Sequence, residues 1–199
     1  MPDMVDLLSS PSNELSALGQ YGCGTDKLRG VNVTIRRAVT GDVRGIRRLI
    51  DTYSSERRLL SKATVAIFES VQEFWVAVRD GGDIVGCGAI HVMWDDLAEI
   101  RTVAVDPSVR GRKIGHRIVT ELLATAATLG VSRVFCLTFE TAFFGSFGFH
   151  EIDGAPVPPK VYEELLRSYD EGVAEFLDLE RVKPNTLGNK RMLLHLSVA

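Results

Sequence analysis

The chain is 199 residues long, 45% hydrophobic and 25% charged, with a formal net charge of −3. That is the make-up of one globular domain with appendages rather than of a fibrous or membrane-spanning chain, and the weakly acidic balance argues against nucleic acid as the main partner. No apolar run approaches the length of a bilayer span, and the three cysteines, Cys23, Cys87 and Cys136, lack metal-ligand spacing.

Cys87 and Cys136 sit in apolar runs and read as buried reduced thiols of a cytoplasmic protein. Residues 1–32 are rich in Ser, Gly, Asn and Pro and are expected to be a poorly ordered N-terminal extension, or to dock one short helix. The opening residues do not read as a signal sequence.

The domain is expected over 33–199. Residues 33–38 form a first strand, and Thr40, Gly41 and Asp42 then cap a helix whose apolar positions are Val43, Ile46, Leu49 and Ile50. A second helical piece follows over 64–71; the segment 54–62 between them mixes cations with apolar residues. Residues 74–79 and 84–94 read as strands joined by the hairpin signal Asp80, Gly81, Gly82, Asp83. Gly86 and Gly88 share one face of the second strand and permit close approach of a neighbour. After a turn at Asp95 and Asp96, a third strand over 99–105 completes an antiparallel meander. Strict alternation puts Ile100, Thr102 and Ala104 on one face and Glu99, Arg101, Val103 and Val105 on the other.

Asp106 and Pro107 stop that strand, since proline has no N–H for a ladder. From Lys113 the period becomes helical: Ile114, Ile118, Val119, Leu122, Leu123, Ala126 and Leu129 form one stripe, closed by Gly130. Residues 131–138 are a strand expected to run parallel to the third, because a whole helix separates the two. A short helix over 140–147, a strand start at 148–150, a helix near 159–169, a polar connection over 179–191 and a closing strand near 192–198 complete the chain.

The loop Arg110-Gly111-Arg112-Lys113-Ile114-Gly115 opens onto a helix N-terminus, where unpaired N–H groups and the helix dipole favour an anion. Its two glycines and three cations suit a pyrophosphate; solvated cations on an ordinary β-turn-α are the alternative. Strand, Asp-Pro stop, Arg-Gly loop and helix in this order resemble motif A of the GNAT acyltransferase superfamily, which binds acetyl-CoA. Arg110, Ile114 and Gly115 match the pattern. Lys113 stands where the family has an internal glycine and must adopt that residue's backbone angles. The resemblance implies an α+β fold, a mixed and mostly antiparallel sheet splayed at the acetyl-CoA site with helices on both faces. It also implies a co-substrate site made of Val103, Ala104, Val105, Arg110, Gly111, Arg112, Lys113, Ile114, Gly115 and His116. Residues 144–149 resemble the family's helix under the cofactor. Where many members carry a tyrosine there that protonates the leaving thiolate, this chain has Phe143 and Phe144. No general acid is assigned; Thr141, Ser146 or water are the candidates.

Residues 72–77, 99–105, 137–141 with 147–149, and 188–193 resemble the stand-alone GNAT form of the N-acetylglutamate synthase family of amino-acid N-acetyltransferases. The implied activity is transfer of acetyl from acetyl-CoA to the α-amine of L-glutamate, the first step of arginine biosynthesis, by direct attack. Such an acceptor presents two carboxylates and one amine, so it needs cations and a base. The resemblance puts a cation at Lys62, and Arg101, Lys190 and Arg191 are further candidates by location. Arg101 shares a strand face with Glu99 and can equally form a salt bridge to it. Glu99, whose setting between Ala98 and Ile100 resembles the base-bearing strand of histone acetyltransferases in the same superfamily, is the expected general base; the alternative is that it only holds Arg101. The expected partner is a small amino-acid substrate, with no nucleic acid and no membrane, and a homodimer is compatible. Acetylation of another small amine or of a protein amine, and a non-catalytic acetyl-CoA-binding sensor, stay open.

Overall fold

The computed structural model describes residues 25–28, 31–54, 62–177, 179 and 188–197. The expectations for Cys23, for 55–61 and for most of the 1–32 extension and the polar connection lie outside them.

Strands β1 (Thr25–Leu28) and β2 (Val31–Arg37) pair antiparallel, so the sheet begins ahead of the expected start at residue 33. A tight turn leads into helix α1 (Val43–Ser54), and the capping is done by Asp42 rather than by Thr40. The Asp42 carboxylate accepts the Val39 N–H at 2.9 Å and both arms of Arg36 at 2.6 and 2.9 Å, which holds it below the usual carboxylate range. Helix α2 (Thr64–Glu69) and strands β3 (Phe74–Arg79), β4 (Ile84–Trp94) and β5 (Leu97–Val105) follow as the meander predicted. Then come α3 (Ile114–Thr128), β6 (Arg133–Thr138), α4 (Thr141–Gly145), β7 (His150–Glu151), α5 (Pro159–Leu165), α6 (Glu171–Phe176) and β8 (Lys190–His195). Helix α6 has no counterpart in the periodicity of the sequence.

Among the described residues the strands form one sheet of eight in the order β1-β2-β3-β4-β5-β6-β8-β7, with β5 and β6 parallel and every other neighbour antiparallel. Helix α3 covers one face, with Ile114, Ile118 and Leu122 packed among Ala77, Ile100 and Val134. Burying side chains such as Ile118 and Leu122, both fully enclosed, contributes about 1.5–3 kcal/mol each. The two strand glycines admit that helix: a Cβ would lie 2.8 Å from Ile118 at Gly86 and 2.9 Å from it at Gly88. On the opposite face α1 and α2 enclose Phe74, Val76 and Cys87, while α5 and α6 enclose Leu97, Phe135 and Leu193. Cys87 and Cys136 are free buried thiols, as expected, and burial pushes the Cys87 thiol up to about 12.

One expectation about the central strand fails. Pairing of β4 with β5 runs Cys87 to Ala104 and then Ala89 to Arg101, so Thr102 and Val103 together oppose Gly88. Thr102 takes φ +60° at this bulge, a left-handed conformation rare for a β-branched residue. The bulge switches faces: Ile100 points to α3, and beyond it Val103 and Val105 do so too. Glu99 and Arg101 therefore lie on the face opposite Val103 and Val105, not on the same one. Pairing of β5 with β6 ends at Glu99 and Phe135, and the strands splay from there.

Candidate active site

The splay opens a cleft of about 720 Å³ between the outer half of β5, the loop into α3, the end of β6 and α4. All ten residues assigned to the co-substrate from the motif line it. The loop carries Gly111 at φ +76° and Lys113 at φ +56°, ψ 18°, so Lys113 does adopt the backbone of the glycine it replaces. Left-handed residues alternating in this way turn successive N–H groups to one side and form an anion-binding concavity. The first helical bond runs from the Arg117 N–H to the Lys113 carbonyl, so by helix geometry the N–H groups of Ile114, Gly115 and His116 point out of the helix end. The His116 ring stacks on Phe147 at 4.3 Å. A Cβ on Gly115 would reach ordinary contact, 3.4 Å from Val105 and 3.5 Å from Phe143, both of which line the cleft. Loop, glycine and splayed strand together suit a pyrophosphate with an extended arm laid along β5.

Phe143 and Phe144 occupy the α4 wall as expected, without a tyrosine. A tyrosine does line the cleft from another direction: Tyr53 of α1, whose hydroxyl donates to the Val105 carbonyl at 2.5 Å. The sequence contained a signal for its inward direction, the stripe Ile46, Leu49, Ile50, Tyr53, but not for the strand it would meet.

Glu99 sits beside the splay point, in register with His91 on β4 and Phe135 on β6, and is 4% exposed. Burial pushes its carboxyl up to about 7, against the pull of the neighbouring Arg101 charge. Its Oε2 makes no hydrogen bond among the described residues. The α6 backbone lies directly over it, since a Cβ on Gly172 would fall 2.2 Å from that oxygen. Arg101 bonds both Asp170 oxygens at 3.0 and 2.9 Å and Glu73 Oε2 at 3.1 Å, and reaches Glu99 only at 3.7 Å. Glu73 in turn meets His91 Nδ1 at 2.8 Å. Glu73 lies in the 72–77 segment of the resemblance without a role assigned to it, and His91 and Asp170 carry no motif, so sequence reasoning assigned none of the three to the site.

The four cations proposed for the acceptor are not brought together. Arg101 is engaged by the carboxylates of Asp170 and Glu73, whereas Glu99, the partner expected in its salt-bridge alternative, stays 3.7 Å away. Lys190 pairs with Glu151 at 2.5 Å on the exposed edge, away from the cleft lining. Arg191 donates to the Glu175 carbonyl at 2.9 Å and to the Phe176 carbonyl, closing the C-terminal end of α6, with its guanidinium over Phe135. Lys62 has its carbonyl held by Arg47 at 2.6 Å and does not line the cleft.

Comparison with known proteins places these features. Residues 44–152 match the model of the acetyltransferase (GNAT) family. The amino-acid acetyltransferase of Mycobacterium tuberculosis is 56% identical over 174 residues, covering 86% of this chain and 99% of that protein. A solved M. tuberculosis structure in complex with CoA and NLQ superposes with a TM-score of 0.79 at 58% identity, covering 82% of this chain and 99% of that one. The N-acetylglutamate synthase of Neisseria gonorrhoeae, solved with coenzyme A and N-acetyl-glutamate, shares the fold at a TM-score of 0.65 and 23% identity; this chain spans 83% of itself and 35% of that longer protein in the match. A splayed sheet, a left-handed loop feeding a helix end, and a relative alike along its whole length leave one assignment: the chain belongs to the GNAT family of acetyltransferases, whose co-substrate is acetyl-CoA.

Proposed function

We propose that this protein transfers the acetyl group of acetyl-CoA to the α-amine of L-glutamate by direct attack, the reaction that opens arginine biosynthesis, with Glu99 as the general base. An ammonium has no lone pair, so the acceptor gives up a proton before its nitrogen can bond the thioester carbonyl and release the thiol. The observation that carries this reading is the Glu99 carboxyl at the splay, buried, with one oxygen unbonded among the described residues and poised at about 7. A base titrating there is about half ionised at neutral pH, and its ionised form accepts a proton readily. The co-substrate would lie on Val103 to Val105 and on the Arg110 to His116 loop, all of which line one cleft. An amino-acid acceptor is supported by the 56% identity to the amino-acid acetyltransferase of M. tuberculosis.

A second reading concerns the acceptor's side chain. Arg101, Lys190 and Arg191 all contact groups of the chain itself, which favours an acceptor with an uncharged side chain, glutamine being the nearest analogue. Free-thiol release measured with acetyl-CoA across the twenty amino acids separates the two readings. Glu99→Gln should lower kcat about 10²–10⁴-fold, with partial recovery at high pH where free amine accumulates. Wild-type kcat and an unchanged pH profile in that variant would exclude Glu99 as the base.

A further inference from the structure

We propose that Asp170 is a positioning residue for acetyl transfer, holding the Arg101 guanidinium off Glu99 so that the buried Oε2 of that carboxylate is not committed to a guanidinium hydrogen bond. The inference rests on the reading of Glu99 as the base.

A guanidinium beside a buried carboxylate ordinarily closes on it as a two-pronged fork. Arg101 does not. Its Nη1 lies 3.0 and 2.9 Å from the two Asp170 oxygens, its Nη2 lies 3.1 Å from Glu73 Oε2, and Glu99 Oε2 is 3.7 Å away, beyond hydrogen-bond reach. Both restraining carboxylates are themselves fixed. Asp170 Oδ1 accepts the Val173 N–H at 3.1 Å as the cap of α6, and the Asp170 N–H donates to Ser168 Oγ at 3.1 Å. Glu73 is held by His91 at 2.8 Å. The segment that carries Asp170 also covers Glu99, because glycine at 172 lets the α6 backbone rest on the carboxylate. One short stretch thus withholds water from Glu99 and diverts the cation that would otherwise occupy it.

The charged and titratable groups around Glu99 come from every element packed on it. They are Glu73 ahead of β3, His91 on β4, Arg101 on β5, Cys136 on β6, Asp170 and Glu175 from the α6 segment, and Arg191 on β8, over Phe135. Of these, Arg101 is the one whose approach would stabilise the ionised carboxylate most directly, and Asp170 is its bidentate partner.

Asp170→Asn keeps the helix cap, since asparagine caps as well as aspartate, and removes the charge that restrains Arg101. Arg101 should then close on Glu99, making it a weaker base with a committed oxygen. The acid limb of the kcat/KM pH profile is expected to move down by about one pH unit and the plateau kcat to fall about tenfold, with the KM for acetyl-CoA unchanged. Glu73→Gln should move the limb in the same direction and serves if Asp170→Asn does not fold. In a Glu99→Gln background Asp170→Asn should lower kcat no further. An acid limb left in place by Asp170→Asn and Glu73→Gln, with Glu99→Gln still crippled, overturns the positioning role alone; wild-type activity in Glu99→Gln overturns the base instead.

Discussion

The burial of Glu99 makes a prediction about stability that is independent of catalysis. The reference carboxyl titrates near 4.5 and Glu99 in the folded protein near about 7. Between those values the folded state holds a proton that the unfolded chain has lost, so Glu99 makes the protein less stable as pH rises through this window, and the loss is complete above it. The gap corresponds to about 3 kcal/mol, with little screening to discount at 4% exposure. Glutamine is nearly isosteric and neutral at every pH, so Glu99→Gln removes that cost. Thermal unfolding followed by circular dichroism should give nearly equal Tm values for variant and wild type at pH 4, below the window. At pH 8.5 the variant should melt about 6–12 °C higher, taking about 2–4 °C per kcal/mol for a chain of this size. A Tm difference that is the same at both pH values, or a variant less stable at pH 8.5, would show that no buried charge is being relieved.

The loop supports two further tests. Gly115→Val should fold, because its Cβ meets only ordinary contacts at 3.4 and 3.5 Å, yet fill the space beside the helix end; isothermal titration should show a strong loss of acetyl-CoA affinity, and unchanged affinity would refute the loop's role. Lys113→Gly should relieve the left-handed strain at φ +56°, about 1–2 kcal/mol for an L residue, against about 0.5–1 kcal/mol of added unfolded-chain freedom. The net of about 0–1.5 kcal/mol gives a Tm equal or higher by up to about 6 °C, and a lower Tm would mean that the exposed lysine side chain makes contacts that outweigh the strain.

Much of this molecule could be read from local chemistry. Period-2 alternation bounded by Asp80 to Asp83 and by Asp95 with Asp96 set out the meander of β3, β4 and β5, and the stripe from Ile114 to Ala126 announced α3. The glycines at 86 and 88 foretold a close approach, which α3 makes, and the cleft lining coincides with the motif loop. These features depend on neighbours within a few residues, or on one apolar face, and both are written in the order of the chain.

Other features depend on partners far apart, and these the sequence left undecided. The bulge at Thr102 carries no glycine to mark it; the positive φ is imposed by the mismatch of β4 against β5, and it reverses which side chains share a face with Glu99. Helix α6 is six residues long with a glycine at its second position, too short for a period, and it is held by packing on Phe135 and Leu193. The insertion of β8 between β6 and β7 leaves no local trace. Periodicity by itself determined most strands and helices and the place of the glycine-rich loop, because backbone conformation and burial preference act over short spans; the class of fold and the acetyl-CoA came from the resemblance of that loop and its flanks to the GNAT family. Only the tertiary structure decided that Glu73 and Asp170 converge on Arg101, with His91 behind Glu73, and so which carboxylate keeps an unbonded oxygen. Electrostatic partnership in a buried site is set by distances across the fold, which the order of residues does not contain.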